Sequence, residues 1–244
     1  MSEILCQQDG RVLRITLNRP EHGNAATDDM ARELKRLLDG AGSVAELVVL
    51  RGSGADFCVG RAGMVGGPPP QVPEAIERRR AFEVVFDCYA GFRNCAVPVI
   101  GVIHGRAAGF GCAIAALCDI TMASDAATFQ VPEMAHNILP TMVMSALHDR
   151  VPRKAIGYLT WSTAVIPAER ALMLGLASEV VPAAGLEDAV AGLTERMLKT
   201  PPIAVRGVKE YLRSGLHTDP QASIDFARNL HAVINASSEI RRKP

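Results

Sequence analysis

Residues 99–125 read VIGVIHGRAAGFGCAIAALCDITMASD, and a strand, a helix and a second strand can be recognised within them. The apolar run 98–104 predicts a buried strand, the glycine-opened run 110–118 predicts a buried helix, and 120–123 predicts the next strand. Strand, helix and strand in close succession are typical of a βαβ unit, which requires a mostly parallel sheet. The fold class predicted from these residues is therefore α/β.

The residues before this unit predict further strands of the same sheet and a helix between them. Asp9-Gly10 separates two short runs, 3–8 and 11–17, in the manner of a hairpin, and LVVL at 47–50 predicts another buried strand. A helix is expected between them, with Thr27 as N-cap and an end at Gly40. Its apolar positions fall on one face and are Met30, Leu34, Leu37 and Leu38.

Helices dominate the rest of the chain. A helix over 73–89 has Ile76, Phe82, Val85, Phe86 and Tyr89 as its apolar positions. Beyond residue 140 the predicted helices are 141–148, 153–160, 167–174, 185–198, 202–213 and 219–236. The expected organisation is an α/β core over 1–182 and a helical C-terminal segment over 183–244 that belongs to the same fold.

Composition restricts the function classes. The 244 residues carry 26 basic and 26 acidic side chains, so the chain lacks the positive surplus that nucleic acid or an acidic membrane would attract. The 6 cysteines are scattered without a C-x-x-C pair, which predicts buried thiols in a reducing compartment rather than a metal site. The N-terminus MSEILCQQDGR lacks the pattern of a secretory signal, and we expect a cytoplasmic protein.

Two glycine-rich loops are the first candidates for a site. GSGADFCVGRAG at 52–63 follows one predicted strand, and HGRAAGFG at 104–111 follows another and opens a helix. Parallel sheets bind ligands at the carboxyl ends of their strands, where these loops would meet. The N–H groups at the start of a helix can hold an anionic oxygen. Because 52–67 has no period, we expect a long mobile loop there.

These segments together resemble the crotonase, or enoyl-CoA hydratase/isomerase, superfamily. The matching pieces stand in the family's order over nearly the whole chain: LNRPEHGNA at 17–25, GSGADFCVGRAG at 52–63, residues 99–134 ending in FQVPEM, RVPRKA at 150–155, and PAERALMLGLASEVVP at 167–182. The resemblance implies a crotonase-like core built as a ββα spiral. It also implies that the helical C-terminal segment mediates oligomerisation, with a homotrimer or a dimer of trimers as the expected assembly.

The resemblance further implies an acyl-CoA thioester as substrate, with CoA as part of that substrate and no other cofactor or metal. The N–H groups of Arg61 and Phe110 would form an oxyanion hole for the thioester carbonyl, and Glu133 would move the proton. Such a hole stabilises an enolate oxygen through fixed donors. The expected substrate- and CoA-binding residues are His22, Asn24, Ala25, Cys58, Gly60, Arg61, Ala62, Gly109, Ala113 and His136.

One departure from the family pattern bears directly on the reaction. Hydratases of the family use a second acid three residues after the Phe110 position, and this chain has Ala113 there. A single glutamate can still carry a proton from one carbon to another, so isomerisation of an enoyl-CoA is preferred. The alternatives are an enoyl-CoA hydratase, a C–C lyase or decarboxylase of the same superfamily, and a CoA-binding protein without activity. His136, three residues after Glu133, or an ordered water is the first candidate to replace the missing acid.

Overall fold

The computed structural model describes residues 2–63 and 74–241. The described chain forms strands β1 Ile4–Asp9, β2 Val12–Leu17, β3 Leu47–Gly52, β4 Val99–Ile103, β5 Arg106–Ala108, β6 Ile120–Ser124, β7 Thr128–Gln130, β8 Ile166–Pro167 and β9 Glu179–Val181. Its helices are α1 Asp28–Val44, α2 Ala75–Asn94, α3 Phe110–Leu117, α4 Thr141–Leu147, α5 Arg153–Ser162, α6 Ala168–Leu174, α7 Leu186–Leu198, α8 Pro202–Ser214, α9 Pro220–Ala236 and α10 Ser238–Arg241.

The main sheet has six strands in the order β1-β2-β3-β4-β6-β9. β1 and β2 form the predicted antiparallel hairpin, and every further pair of neighbours is parallel. β4, α3 and β6 form the predicted βαβ unit, and all residues of α3 are buried. The α/β fold class is thus confirmed. A small second sheet, in the order β5-β7-β8, was not expected from the sequence.

Helix α1 begins where its cap was predicted. The Thr27 hydroxyl oxygen accepts a hydrogen bond from the Met30 N–H at 3.1 Å, which satisfies one of the free donors of the first turn. The four predicted apolar positions are all buried. The predicted end at Gly40 was wrong, because the helix continues to Val44 and buries Ala41 against the core, and this packing offsets the helix penalty of Gly40 and Gly42.

Helix α2 packs against α1 near its C-terminal end. A β-carbon on Gly91 would lie 3.3 Å from the Cα of Lys35, so the two backbones approach closely there. Two predicted core positions of this helix were wrong: Ile76 is 66% exposed and Phe86 is 39% exposed. Ile76 lies in the first turn, where the neighbouring residues are also exposed, and Phe86 turns away from the buried face that Val85 and Tyr89 share.

The core lies on both faces of the main sheet. The larger cluster surrounds α3 and includes α1, α2 and the two loops after β3 and β4, while a smaller cluster packs Leu186 and Val190 of α7 against Val49, Ile100 and Met122. In the C-terminal segment, Lys209 of α8 donates to Asp119, just before β6, at 2.6 Å, and α9 has no buried residue. Of the cysteines, only Cys6 is exposed, contrary to the expectation of buried thiols throughout. Within 2–63 and 74–241, no helix combines the length and apolarity that a bilayer crossing requires.

Candidate active site

The two glycine-rich loops pair side by side. Cys58 N–H donates to the Arg106 carbonyl at 3.0 Å, and Ala108 N–H donates to the Cys58 carbonyl at 2.9 Å. This parallel bridge between Cys58 and Ala107, continued in register, sets Gly60 opposite Gly109. We expected an irregular loop over 52–67. In its described part, 52–63, backbone groups instead form hydrogen bonds with β5 and with Ala26. Residues 64–67 of that prediction lie outside the described residues.

Glycines make this close pairing possible. Gly109 adopts φ 51° and ψ −115°, a conformation that side-chain-bearing residues rarely adopt. A β-carbon on Gly111 would lie 2.0 Å from the Cys58 carbonyl oxygen. Because Gly109 takes the positive φ, Phe110 begins α3 with an ordinary backbone and can carry a bulky side chain.

The N–H groups of Arg61 and Phe110 are available for a ligand. Among the hydrogen bonds between residues 2–63 and 74–241, neither N–H has an acceptor, whereas the flanking Ala62 and Gly109 N–H groups donate to Ala26 and Gln130. Continuing the register of the loop pairing sets Arg61 opposite Phe110. The Arg61 guanidinium donates to Asp28 at 2.5 Å, so this side chain is already paired.

A cavity of about 120 Å³ opens beside these two residues. Of the predicted site residues, it is lined by Gly60, Arg61, Gly109, Phe110, Glu133 and His136. The remaining lining residues are Val59, Val85, Tyr89, Pro132, Ile138, Leu139, Pro140, Met142 and Val143. The structure thus gathers the predicted catalytic residues around one mostly apolar cavity.

Glu133 projects into this cavity from a 3-10 helix, Glu133–His136, which Asn137 ends in the left-handed conformation. Its Oε1 lies 2.9 Å from where a β-carbon on Gly109 would be, and its Oε2 is buried without a hydrogen-bond partner among the described residues. Burial raises the pKa of the Glu133 carboxyl above its ordinary value, and His136 opposes this rise. Such a carboxylate is a stronger base than one in water.

No second carboxylate lines the cavity within the described part of the chain. Ala113 is completely buried one helical turn after Gly109 and does not contribute to the lining. His136 follows Glu133 by three residues, and a 3-10 helix places such residues on the same face. Besides Glu133, the described lining residues with titratable side chains are Arg61, Tyr89 and His136.

The predicted CoA-binding residues outside the cavity lie around the first loop. Val59 N–H donates to the Gly23 carbonyl at 3.0 Å, which brings 22–25 against this loop. Asn24 is buried, and its side chain accepts from Arg19 N–H and donates to the Ser53 and Asp56 carbonyls. The Asn24 side chain is thus a structural anchor. His22, Asn24, Ala25, Cys58, Ala62 and Ala113 do not line the cavity.

An ion pair that the sequence did not reveal fixes the loops. Asp56 accepts hydrogen bonds from the Arg106 N–H at 3.0 Å and from the guanidinium at 2.9 and 2.7 Å. These bonds hold the pKa of the Asp56 carboxyl below its ordinary value. Two residues fifty positions apart carry no local pattern, so only the fold shows that they pair.

Known proteins resemble this chain over nearly its whole length. The family model described as enoyl-CoA hydratase/isomerase matches residues 7–243. The chain is 26% identical over 242 residues to the 2,3-dehydroadipyl-CoA hydratase of Escherichia coli K12, covering 98% of this chain and 92% of that protein.

Solved structures show the same fold. The enoyl-CoA hydratase of Mycobacterium smegmatis superposes with a TM-score of 0.91 at 26% identity, over 98% of this chain and 93% of that one. A Thermobifida fusca YX protein crystallised in complex with CoA superposes with a TM-score of 0.83 at 29% identity, over 95% and 92% of the two chains. The crotonase-like fold predicted from the ordered motifs is confirmed, and the chain belongs to the enoyl-CoA hydratase/isomerase family of the crotonase superfamily.

Proposed function

We propose that the protein is an acyl-CoA enzyme that shifts the double bond of an enoyl-CoA, with Glu133 as its single acid and base. The observation that carries this proposal is the composition of the cavity wall: among the described lining residues, Glu133 is the one carboxylate. Hydration is commonly divided between two carboxylates, whereas moving a proton between two carbons needs one.

The reaction follows from the positions of these groups. The Glu133 carboxylate removes a proton from C2 of a 3-enoyl thioester, and the electron pair moves into the C1–C2 bond. Negative charge then develops on the thioester oxygen, which accepts hydrogen bonds from the N–H groups of Arg61 and Phe110. The protonated Glu133 delivers the proton to C4, and the new double bond lies between C2 and C3. Each donor of such a hole typically contributes about 3–4 kcal/mol to the transition state.

Binding of the CoA portion is proposed for the first loop and the segment beside it. The Val59 N–H donates to the Gly23 carbonyl and so joins residues 22–25 to this loop. The residues proposed to bind CoA through their backbone are His22, Asn24, Ala25, Cys58, Gly60 and Ala62. The CoA complex of the related T. fusca protein supports a CoA ester as ligand. The proposed chemistry uses only protein groups and the thioester itself.

Hydration is the second candidate, and two observations favour it. The relatives reported above carry hydratase names, and His136 lines the cavity on the same face as Glu133. Glu133 would then activate a water molecule while the His136 imidazolium protonates C2. Hydration through this pair requires both side chains, whereas isomerisation requires only Glu133.

Parallel assays of 3-hexenoyl-CoA isomerisation and crotonyl-CoA hydration test the proposal. We expect isomerisation to exceed hydration in the wild-type protein, E133Q to reduce isomerisation by about 10²–10⁴-fold, and H136Q to reduce it by less than about tenfold. Hydration faster than isomerisation, lost in H136Q, would support the second candidate. Tight binding of CoA esters without turnover of either substrate would contradict both and indicate a binding protein.

A further inference from the structure

Tyr89 is a cavity residue that the sequence pattern assigned to the ordinary core. It lies in α2 one turn after Val85, and both side chains line the cavity. Its ring stacks on Phe110, with the ring centroids 5.7 Å apart and the planes inclined by 28°. Because Tyr89 is only 4% exposed and borders the cavity, its small accessible surface belongs to the cavity wall.

The Tyr89 hydroxyl has no hydrogen-bond partner among residues 2–63 and 74–241. Unlike Glu133 Oε2, this hydroxyl is not one of the fully buried polar atoms that lack a partner in the described part of the chain. Among the described residues the hydroxyl is thus neither paired nor fully enclosed, and Tyr89 borders the cavity. A buried polar group of this kind is normally satisfied in the functional state of a protein, because leaving it unpaired is costly.

The cavity that Tyr89 borders is mostly apolar. Val59, Ile138, Leu139, Met142 and Val143 form much of the remaining wall. Burial raises the pKa of the Tyr89 phenol well above its ordinary value, and the Glu133 charge adds to this effect. The phenol therefore stays protonated at neutral pH and has a proton to donate. A pure hydrocarbon chain in the cavity would leave that proton unpaired, whereas a ligand oxygen would accept it.

We propose that Tyr89 determines specificity by donating a hydrogen bond to a carbonyl or carboxylate oxygen on the acyl chain of the substrate. The preferred thioesters then carry an oxygen beyond the thioester carbonyl, and plain hydrocarbon chains of equal length bind more weakly. This inference rests on the proposed function, because it takes the ligand to be a CoA ester. It adds the chemical class of the acyl group.

Equilibrium binding of three four-carbon esters tests the inference without turnover. Butanoyl-CoA, acetoacetyl-CoA and succinyl-CoA are titrated calorimetrically into the wild-type protein, Y89F and Y158F. We expect the wild type to bind at least one oxygen-bearing ester about tenfold or more tightly than butanoyl-CoA, and Y89F to reduce this preference to within about twofold. Y89F keeps the ring that stacks on Phe110, and an unchanged melting temperature confirms that it is folded.

Y158F is the matched control, because Tyr158 lies in α5, is 47% exposed and does not line the cavity. It should reproduce the wild-type preference. Equal binding of all three esters by the wild type, or a preference that survives in Y89F, would overturn the role of Tyr89 while leaving the proposed function intact. Failure of every ester to bind would overturn both.

Discussion

Glu133 Oε1 lies 2.9 Å from the position that a β-carbon on Gly109 would occupy. The carboxylate thus occupies space that exists because residue 109 has no side chain. The same glycine adopts φ 51° and precedes Phe110, which lines the cavity. One residue therefore serves both proposed functions of the site, since it leaves room for the base and directs the backbone donor.

Replacing Gly109 by alanine should abolish turnover. The strained backbone is expected to lower the free energy of unfolding by about 1–3 kcal/mol, and the added methyl group displaces the Glu133 carboxylate. The measurement is isomerase turnover together with urea unfolding. G10A is the control, because Gly10 has φ 55° and nothing within 4 Å of its β-carbon position. G10A should show a comparable backbone penalty with wild-type turnover, and equal activity of the two variants would contradict this reading of Gly109.

The buried Glu133 carboxyl predicts a pH-dependent stability difference. Its pKa is raised in the folded protein by burial, so the folded state disfavours the charged form. The wild type therefore loses stability as the pH rises from the ordinary carboxyl pKa through the raised one, and regains it at lower pH. E133Q stays neutral throughout. Its melting temperature should exceed that of the wild type at pH 8 and approach it near pH 4.

E195Q provides the control for this measurement. Glu195 is exposed and paired with Lys199, which lowers its pKa, so the substitution removes a favourable interaction at pH 8. No gain in melting temperature is expected for E195Q at any pH. A melting temperature of E133Q that stays at or below the wild-type value at pH 8 would show that the Glu133 carboxylate is not destabilising.

The long periodic elements of this chain could be predicted, and the short ones could not. Thr27 and the apolar face of α1 gave a clear helical pattern, as did the glycine-opened α3 between two buried strands. β5 and β7 have three residues each, too few for an alternating pattern, so the second sheet was missed. Pairing between Cys58 and Ala107 likewise depends on contacts between distant residues.

Some residues of the site could likewise be predicted from the sequence, and others could not. Motif order indicated Arg61, Phe110 and Glu133, and all three line the cavity. Tyr89 was assigned to the core because helical periodicity identifies only the inward face of α2. It does not distinguish a side chain packed in the core from one that borders a cavity.

The Asp119–Lys209 ion pair should anchor the C-terminal segment. The two side chains are 8% and 6% exposed, and Asp119 also accepts from the Val99 N–H at 2.8 Å. K209M leaves a buried carboxylate without its cation and is expected to lower the free energy of unfolding by about 3–5 kcal/mol. Urea unfolding measures this loss. D119N in the K209M background should restore part of it, because the neutral amide needs no counter-charge.

K199M is the surface comparison, since Lys199 and Glu195 are 71% and 69% exposed. An exposed pair of this kind contributes at most about 1 kcal/mol. If K209M cost no more than K199M, the buried pair would not anchor α8.

An acid placed at residue 113 should change the balance between the two candidate reactions. Ala113 lies one turn after Gly109, its N–H donates to the Gly109 carbonyl at 3.0 Å, and residues so spaced share a helix face. A glutamate there would extend toward the cavity and supply the second carboxylate that hydration uses. We expect A113E to raise the ratio of crotonyl-CoA hydration to 3-hexenoyl-CoA isomerisation by about tenfold or more, at a cost in stability for burying a charge. A115E buries a carboxylate on nearly the opposite face of α3, where Ala115 is also buried, and should lose stability without this change in ratio. An unchanged ratio in folded A113E would mean that the missing acid is not what favours isomerisation.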